Sequence, residues 1–230
     1  MGEMINFPSN GSEGQGYLAV PPSGTGPGVV VIQEWWGLVP HIKDVCARFA
    51  AEGFVALAPD LYRGTQVSEP DEAGKEMMAL QLDRAAKDMS GAVDEVRRRS
   101  SADKVGVVGF CMGGGLALVL ATQRPDAVAA CVAFYGLIPW PEAQPDFSML
   151  SGAVLAHVAG NDEYFSPEAA RALEEQLRGL GKDAEFHVYE GVDHAFFNDT
   201  RPEVYDAAAS AAAWARTIGF FRAHLGARLG

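Results

Sequence analysis

The chain has 230 residues, 48% of them hydrophobic, and a formal net charge of -12. A chain of this length and composition can bury a core that needs no disulfide or metal, so we expect residues 1–230 to form a single domain. The acidic balance argues against nucleic acid and anionic membranes as partners, although a local pocket can still attract a small anion.

Cysteine usage and the N-terminal segment indicate a reducing, cytoplasmic location. The three cysteines are Cys46, Cys111 and Cys131, and they have neither metal-ligand spacing nor the even number of a disulfide framework. The N-terminus has no secretory signal pattern, and no apolar run is long enough to cross a bilayer. Because no dinucleotide-binding glycine motif or ligand cluster is present, we expect no metal and no organic cofactor.

Apolar runs of strand length recur along the chain. Residues 1–27 are polar and rich in glycine, proline and serine, and they predict one or two edge strands. Continuous β-branched or apolar runs predict strands buried on both faces of a sheet. Such runs are Gly28–Gln33 and Gly53–Ala58, and the other predicted strands are a short one just before Cys111, Val128–Phe134, Ala153–Ala159 and Ala184–Tyr189.

Segments with helical spacing of apolar residues lie between these strands. Residues 63–75 and 137–151 are predicted loops. The predicted helices are His41–Ala51, one or two within 76–99, one from about Leu116 to Gln123, Pro167–Arg178 after a capping Ser166, and 202–225. This alternation predicts an α/β fold with a mostly parallel, doubly wound sheet flanked by helices.

The segment that carries the strongest chemical signal is Gly109-Phe110-Cys111-Met112-Gly113. It has the spacing of a nucleophile elbow, with sulfur in place of a serine hydroxyl. Such a turn holds its central residue in a strained conformation, and the flanking glycines let neighbouring backbone approach closely. Cys111 is then at a helix N-terminus, which favours a thiolate, and the amide of Met112 can bind an oxyanion.

Three reactive side chains each follow the end of a predicted strand: Cys111, Asp162 and His194. Because the carboxyl ends of parallel strands share one edge of a sheet, these side chains can meet. A thiol needs a base, and the imidazole needs a carboxylate on its other nitrogen. Asp193 and Asp199 are rival acids, but both lie on the histidine's own loop.

Several motifs together resemble the dienelactone hydrolase (carboxymethylenebutenolidase) family of α/β-hydrolases, over nearly the whole chain from about residue 16. The motifs are Gln33-Glu34-Trp35-Trp36-Gly37, Pro59-Asp60-Leu61-Tyr62, Gly106–Gly115, Phe134-Tyr135-Gly136, Gly160-Asn161-Asp162 and Gly191-Val192-Asp193-His194-Ala195-Phe196. A cysteine in the elbow separates this family from the serine esterases.

The resemblance implies an α/β-hydrolase fold and a Cys111-His194-Asp162 triad that opens small, anionic enol-lactones through an acyl-enzyme. It implies an oxyanion hole formed by the amides of Met112 and Trp35, and a role for Glu34 in controlling thiol ionisation. We expect gating, in which the thiol stays neutral until substrate displaces Glu34, because a permanent thiolate is prone to oxidation. The residues then expected to contact substrate are Trp36, Lys75, Tyr135 and Phe196.

The sequence departs from the family pattern where archetypal members anchor the substrate carboxylate. They carry an arginine just after the catalytic histidine, whereas this chain has Asn198 there and no arginine before Arg201. Lys75 is the candidate for a second anchor. The expected partner is a small lactone or ester, and the expected assembly is a monomer or small homo-oligomer.

Three other functions remain open at this point. A broad carboxylesterase or thioesterase would use the same three side chains on other substrates. A thiol redox protein would use Cys111 alone and would need no ester turnover. A ligand-binding protein on a hydrolase fold would have no need of all three groups.

Overall fold

The computed structural model describes residues 2–136 and 138–226. Within them eight strands form one sheet. The strands are β1 (Glu3–Ser9), β2 (Ser12–Ala19), β3 (Gly28–Ile32), β4 (Val55–Pro59), β5 (Val105–Phe110), β6 (Val128–Phe134), β7 (Ala153–Ala159) and β8 (Ala184–Tyr189). Their order across the sheet is β1-β2-β4-β3-β5-β6-β7-β8. β1 and β2 pair antiparallel with their neighbours, and β3 to β8 all pair in parallel.

Helices connect the parallel strands and cover both faces of the sheet. In the described ranges they are α1 (Pro40–Ala51), α2 (Pro70–Met78), α3 (Leu82–Arg99), α4 (Met112–Gln123), α5 (Pro167–Gly179) and α6 (Ala207–His224). No helix in this part of the chain has both the length and the apolar character needed to span a membrane. The architecture is the predicted α/β fold with a mostly parallel sheet.

The core consists of two apolar layers, one on each face of the sheet. One layer packs residues of α3 and α4, such as Val93 and Leu116, against the sheet. The other packs residues of α1 and α6, such as Phe49 and Phe221, against the opposite face. All five residues of β3 and of β4 are buried, as expected for central parallel strands covered on both sides.

Most predicted strands agree with the structure to within one or two residues, and three helix predictions were wrong at their starts. The predicted loop 63–75 gives way to α2 at Pro70, where proline occupies the first turn. The first turns of this helix are polar and only Ala73 is buried, so few apolar residues mark its start in the sequence. The terminal helix begins at Ala207, not 202, because the Asp206 side chain accepts from the Ala209 amide and caps it.

The third difference concerns the helix after the elbow. It begins at Met112, four residues before the expected Leu116, and its first turn includes Gly113, Gly114 and Gly115. Glycine is a poor helix former, which is why the sequence predicts a later start. Packing overrides that preference here, because a β-carbon on Gly113 would lie 2.3 Å from the Gln33 carbonyl oxygen.

Candidate active site

The turn between β5 and α4 has the strained geometry that the elbow spacing predicts. Cys111 has φ 56° and ψ -123°, a conformation that costs free energy for any residue other than glycine. A β-carbon on Gly109 would lie 1.9 Å from the carbonyl oxygen of Gly113. Glycine is therefore required at both flanking positions for the backbone to turn this sharply and present the Cys111 thiol above the sheet.

Asp162 and His194 meet at the carboxyl edge of the sheet, as the strand order predicts. Asp162 follows β7 and His194 follows β8, and His194 Nδ1 lies 2.7 Å from Asp162 Oδ2. The other carboxylate oxygen of Asp162 accepts hydrogen bonds from the amides of Tyr164 at 2.8 Å and Phe165 at 3.0 Å. These bonds fix the orientation of the buried carboxylate, and so they fix the imidazole.

The rival carboxylates have other partners. Asp193 accepts a hydrogen bond from the Asn161 side-chain amide at 3.0 Å, and Asp199 lies 3.2 Å from Nδ1 of His41. Asp162 is therefore the carboxylate that the structure places against His194.

His194 also contacts the thiol. Burial by itself lowers the pKa of His194, but hydrogen bonds to Asp162 and Cys111 outweigh it and raise the pKa to about 10. An imidazole with so high a pKa keeps its proton at neutral pH. The arrangement therefore favours the imidazolium form of His194, hydrogen-bonded to the Asp162 carboxylate.

Glu34 lies just past the end of β3 and is only 1% exposed. Its Oε2 accepts a hydrogen bond from the Asn198 side-chain amide at 2.7 Å, and its Oε1 accepts a longer one from the Tyr135 hydroxyl at 3.5 Å. A buried carboxylate needs such donors because an unpaired charge is costly in the interior. The asparagine at position 198 thus holds Glu34 with a neutral group.

Two backbone N–H groups are free to donate hydrogen bonds, as an oxyanion hole requires. The amide of Met112 belongs to the first turn of α4, where amides have no intrahelical acceptor. The amide of Trp35 lies in the turn after β3. Within the ranges that the structure describes, neither amide donates to another group.

Cys111 and His194 line one cavity of about 500 Å³. Its walls are largely aromatic or apolar, and its polar groups include three carboxylates. The lining residues are Glu34, Trp35, Trp36, Pro70, Met77, Cys111, Pro139, Asn161, Glu163, Tyr164, Asp193, His194, Ala195, Arg201 and Val204.

The structure brings only part of the expected substrate-contacting set to this cavity. Trp36 forms a wall, whereas Tyr135 and Phe196 are fully buried and pack against each other with ring centroids 5.6 Å apart. Lys75 is exposed on α2, outside the lining residues, and that helix contributes Pro70 and Met77 instead. Arg201 is the arginine among the lining residues, and its guanidinium lies 5.2 Å from the centre of the Trp36 ring.

Arg201, Glu163 and Tyr164 were not predicted as site residues. They lie on loops, where apolar periodicity carries no information about position. The one available signal was that Arg201 is the first arginine after His194 in the sequence.

Comparison with known proteins identifies relatives along the whole chain. The dienelactone hydrolase family matches residues 15–225. The chain is 40% identical over 234 residues to "Protein usf" of Aquifex pyrophilus, covering 98% of this chain and 100% of that protein. It is 36% identical over 234 residues to "Putative carboxymethylenebutenolidase" of Aquifex aeolicus, with the same coverage. A crystal structure named "Putative Dienelactone Hydrolase" from Klebsiella pneumoniae has a TM-score of 0.86 at 28% identity, covering 96% of this chain and 98% of that one.

The eight-stranded sheet and the cysteine at its strand-to-helix elbow define an α/β-hydrolase fold. The chain belongs to the dienelactone hydrolase family, a family of hydrolases.

Proposed function

We propose that this protein is a carboxylic ester hydrolase that opens small lactones or cleaves small esters, using Cys111, His194 and Asp162 as a catalytic triad. The observation that carries the proposal is the 2.7 Å hydrogen bond between Asp162 and His194, together with the presence of His194 and Cys111 in the wall of one cavity. The names of the relatives, which include a carboxymethylenebutenolidase, support an enol-lactone as one substrate.

In the proposed first step the Cys111 thiolate attacks the carbonyl carbon, and the carbonyl oxygen becomes an oxyanion held by the amides of Met112 and Trp35. The carbon–oxygen bond of the ester then breaks, and the His194 imidazolium gives its proton to the departing oxygen. In a lactone that oxygen stays attached to the acyl group, so the ring opens on the enzyme.

In the second step neutral His194 takes a proton from water, and the hydroxide attacks the thioester. The carbon–sulfur bond breaks, the acid leaves, and the thiolate–imidazolium pair is restored. Asp162 keeps Nε2 of His194 directed at the thiol throughout, because it occupies Nδ1 at 2.7 Å.

The geometry around Glu34 supports a preformed thiolate over a gated one. Glu34 is held by Asn198 and Tyr135, while interaction with Cys111 helps to raise the pKa of His194 to about 10. We therefore propose that iodoacetamide alkylates Cys111 rapidly in the free enzyme. Slow alkylation that a substrate analogue accelerates would favour the gating expected from the family resemblance.

A redox function has less support. Burial raises the pKa of Cys131 to about 12 and raises the pKa of Cys46 further, so neither supplies a thiolate to resolve an oxidised Cys111. All three cysteines are free.

The experiment that tests the proposal compares wild type with Cys111→Ala on a dienelactone and on a neutral phenyl ester. We expect turnover of at least one substrate that disappears in the variant, and an acyl group on Cys111 that mass spectrometry detects after rapid quenching. Turnover that survives in the folded variant would reject the thiol nucleophile. A panel of esters and thioesters then separates a lactonase from a broad esterase.

A further inference from the structure

The active-site cavity has an unexpected balance of charges. Three carboxylates line it, from Glu34, Glu163 and Asp193, and among the lining residues that the structure describes only the Arg201 guanidinium and the His194 imidazolium beside Cys111 are positive. Resting on the proposed hydrolase function, we propose that the site selects uncharged esters and lactones over anionic ones. This specificity is the reverse of what the family resemblance implies.

Arg201 is not available as a free positive charge. Its Nε lies 2.8 Å and its Nη2 2.7 Å from Oε1 of Glu203, so one carboxylate already faces two of its three nitrogens. Its guanidinium is also held over the Trp36 ring at 5.2 Å. The positive charge therefore contributes little net attraction for a carboxylate that enters the cavity.

Glu163 and Asp193 are exposed at the mouth of the cavity, on the loops that follow β7 and β8. Asp193 accepts from the neutral amide of Asn161. A substrate with its own carboxylate has to pass both charges and then approach the buried side chain of Glu34. Repulsion between like charges near a protein surface lowers the effective concentration of such a substrate and weakens as salt is added.

The remaining walls suit an uncharged, flat group. Trp35 and Trp36 lie with ring centroids 5.1 Å apart, and Tyr164 lies 5.3 Å from the His194 ring. Tyr164 is 74% exposed, which is unusual for so large a side chain beside a reactive histidine. Aromatic walls of this kind bind apolar or unsaturated rings through burial and stacking, without needing a charge on the ligand.

Charge also affects the product. Ester cleavage releases a carboxylic acid that ionises at neutral pH. The carboxylates at the mouth repel that product, so the same charges that exclude anionic substrates favour its departure.

The test uses two esters that differ in one charge: 4-acetoxybenzoate and its uncharged methyl ester. Both transfer the same acetyl group, and each kcat/KM is divided by the rate with hydroxide to correct for the leaving group. We expect wild type to prefer the methyl ester by about tenfold at low ionic strength, with the preference shrinking in high salt, as expected for a few screened charges. Glu163→Gln and Asp193→Asn should each reduce the preference about two- to fivefold.

Glu175→Gln is the matched control, because it removes the same charge from the exposed side of α5, outside the cavity lining. It should leave the ratio of the two esters unchanged. A preference for 4-acetoxybenzoate that disappears in Arg201→Gln would overturn the inference and assign Arg201 as a carboxylate anchor. Cys111→Ala separates the two proposals: loss of activity on both esters upholds the hydrolase mechanism whichever ester wild type prefers, and retained activity rejects that mechanism.

Discussion

The hydrogen bond between Asp162 and His194 can be tested by replacing Asp162 with asparagine. The amide oxygen of asparagine can still accept from the amides of Tyr164 and Phe165, so the turn after β7 should persist. Its amide nitrogen then faces His194 Nδ1 and donates to it. That bond requires an unprotonated Nδ1, so neutral His194 carries its only proton on Nε2. Nε2 then cannot accept the proton of the Cys111 thiol.

The expected magnitude follows from the pKa of His194. A rise from the ordinary 6.5 to about 10 corresponds to about 5 kcal/mol of preference for the imidazolium, at about 1.4 kcal/mol per pKa unit. The side chain is only 18% exposed, so solvent screens this preference little. Burial opposes this preference, and the hydrogen bond to Asp162 is the foremost of the interactions that outweigh it, so removing the carboxylate should lower the pKa of His194. Because Asp162→Asn also holds His194 in the wrong tautomer, we expect its kcat/KM to fall by about 10³–10⁴.

The assay measures ester turnover and iodoacetamide labelling of Cys111 from pH 6 to 10. Wild type should label at a nearly constant rate up to about pH 10, because the imidazolium that stabilises the thiolate persists to that pH. Asp162→Asn lowers the pKa of His194, so its labelling at pH 7 should be much slower and should rise with pH. Asp199→Asn is the control, since that carboxylate pairs with His41 and should leave both measurements unchanged. An Asp162→Asn protein with wild-type turnover and labelling would refute the reasoning.

Two further predictions concern stability. Gly113→Ala should destabilise the fold by several kcal/mol or prevent folding, because its β-carbon would lie 2.3 Å from the Gln33 carbonyl oxygen. Gly219→Ala, on the exposed side of α6, should instead stabilise the fold by about 0.5–1 kcal/mol, because its β-carbon meets no other atom. Urea unfolding of both variants checks this, and equal effects would contradict it. Burial lowers the pKa of His157 well below 6.5, so the native state keeps this residue neutral while the unfolded state binds a proton as the pH falls. Stability should therefore fall below about pH 6.5, and His157→Gln should reduce the loss between pH 7.5 and 5.0 by about 2 kcal/mol. His224→Gln is the control and should lose as much stability between these pH values as wild type. If His157→Gln also loses as much as wild type, His157 is not the acid-sensitive group.

Much of the fold and the reactive centre could be predicted because their signals are local. A strand buried on both faces must be apolar throughout, so Val128–Phe134 and Ala153–Ala159 agree with the structure at both ends. Ala184–Tyr189, at the edge of the sheet, agrees at both ends as well. The elbow has a fixed spacing because only glycine fits where Gly109 and Gly113 meet neighbouring backbone. Parallel pairing then places the residues after the strands at one edge, which is why Asp162 and His194 could be paired from sequence.

Only the tertiary structure decided which side chains complete the cavity. Lys75 and Arg201 lie on segments without apolar periodicity, and nothing in their neighbours along the chain shows that one points away and the other lines the cavity. Their positions depend on long-range contacts, such as the Trp36 ring beneath Arg201 and the pairing of Asn198 with Glu34, 164 residues away. The sequence by itself determined the scaffold and the position of Cys111 at the elbow, because repeating apolar patterns and close backbone contacts restrict residue type locally. The charge of the site was decided by loop packing, which brings together residues distant in the chain and leaves no local pattern.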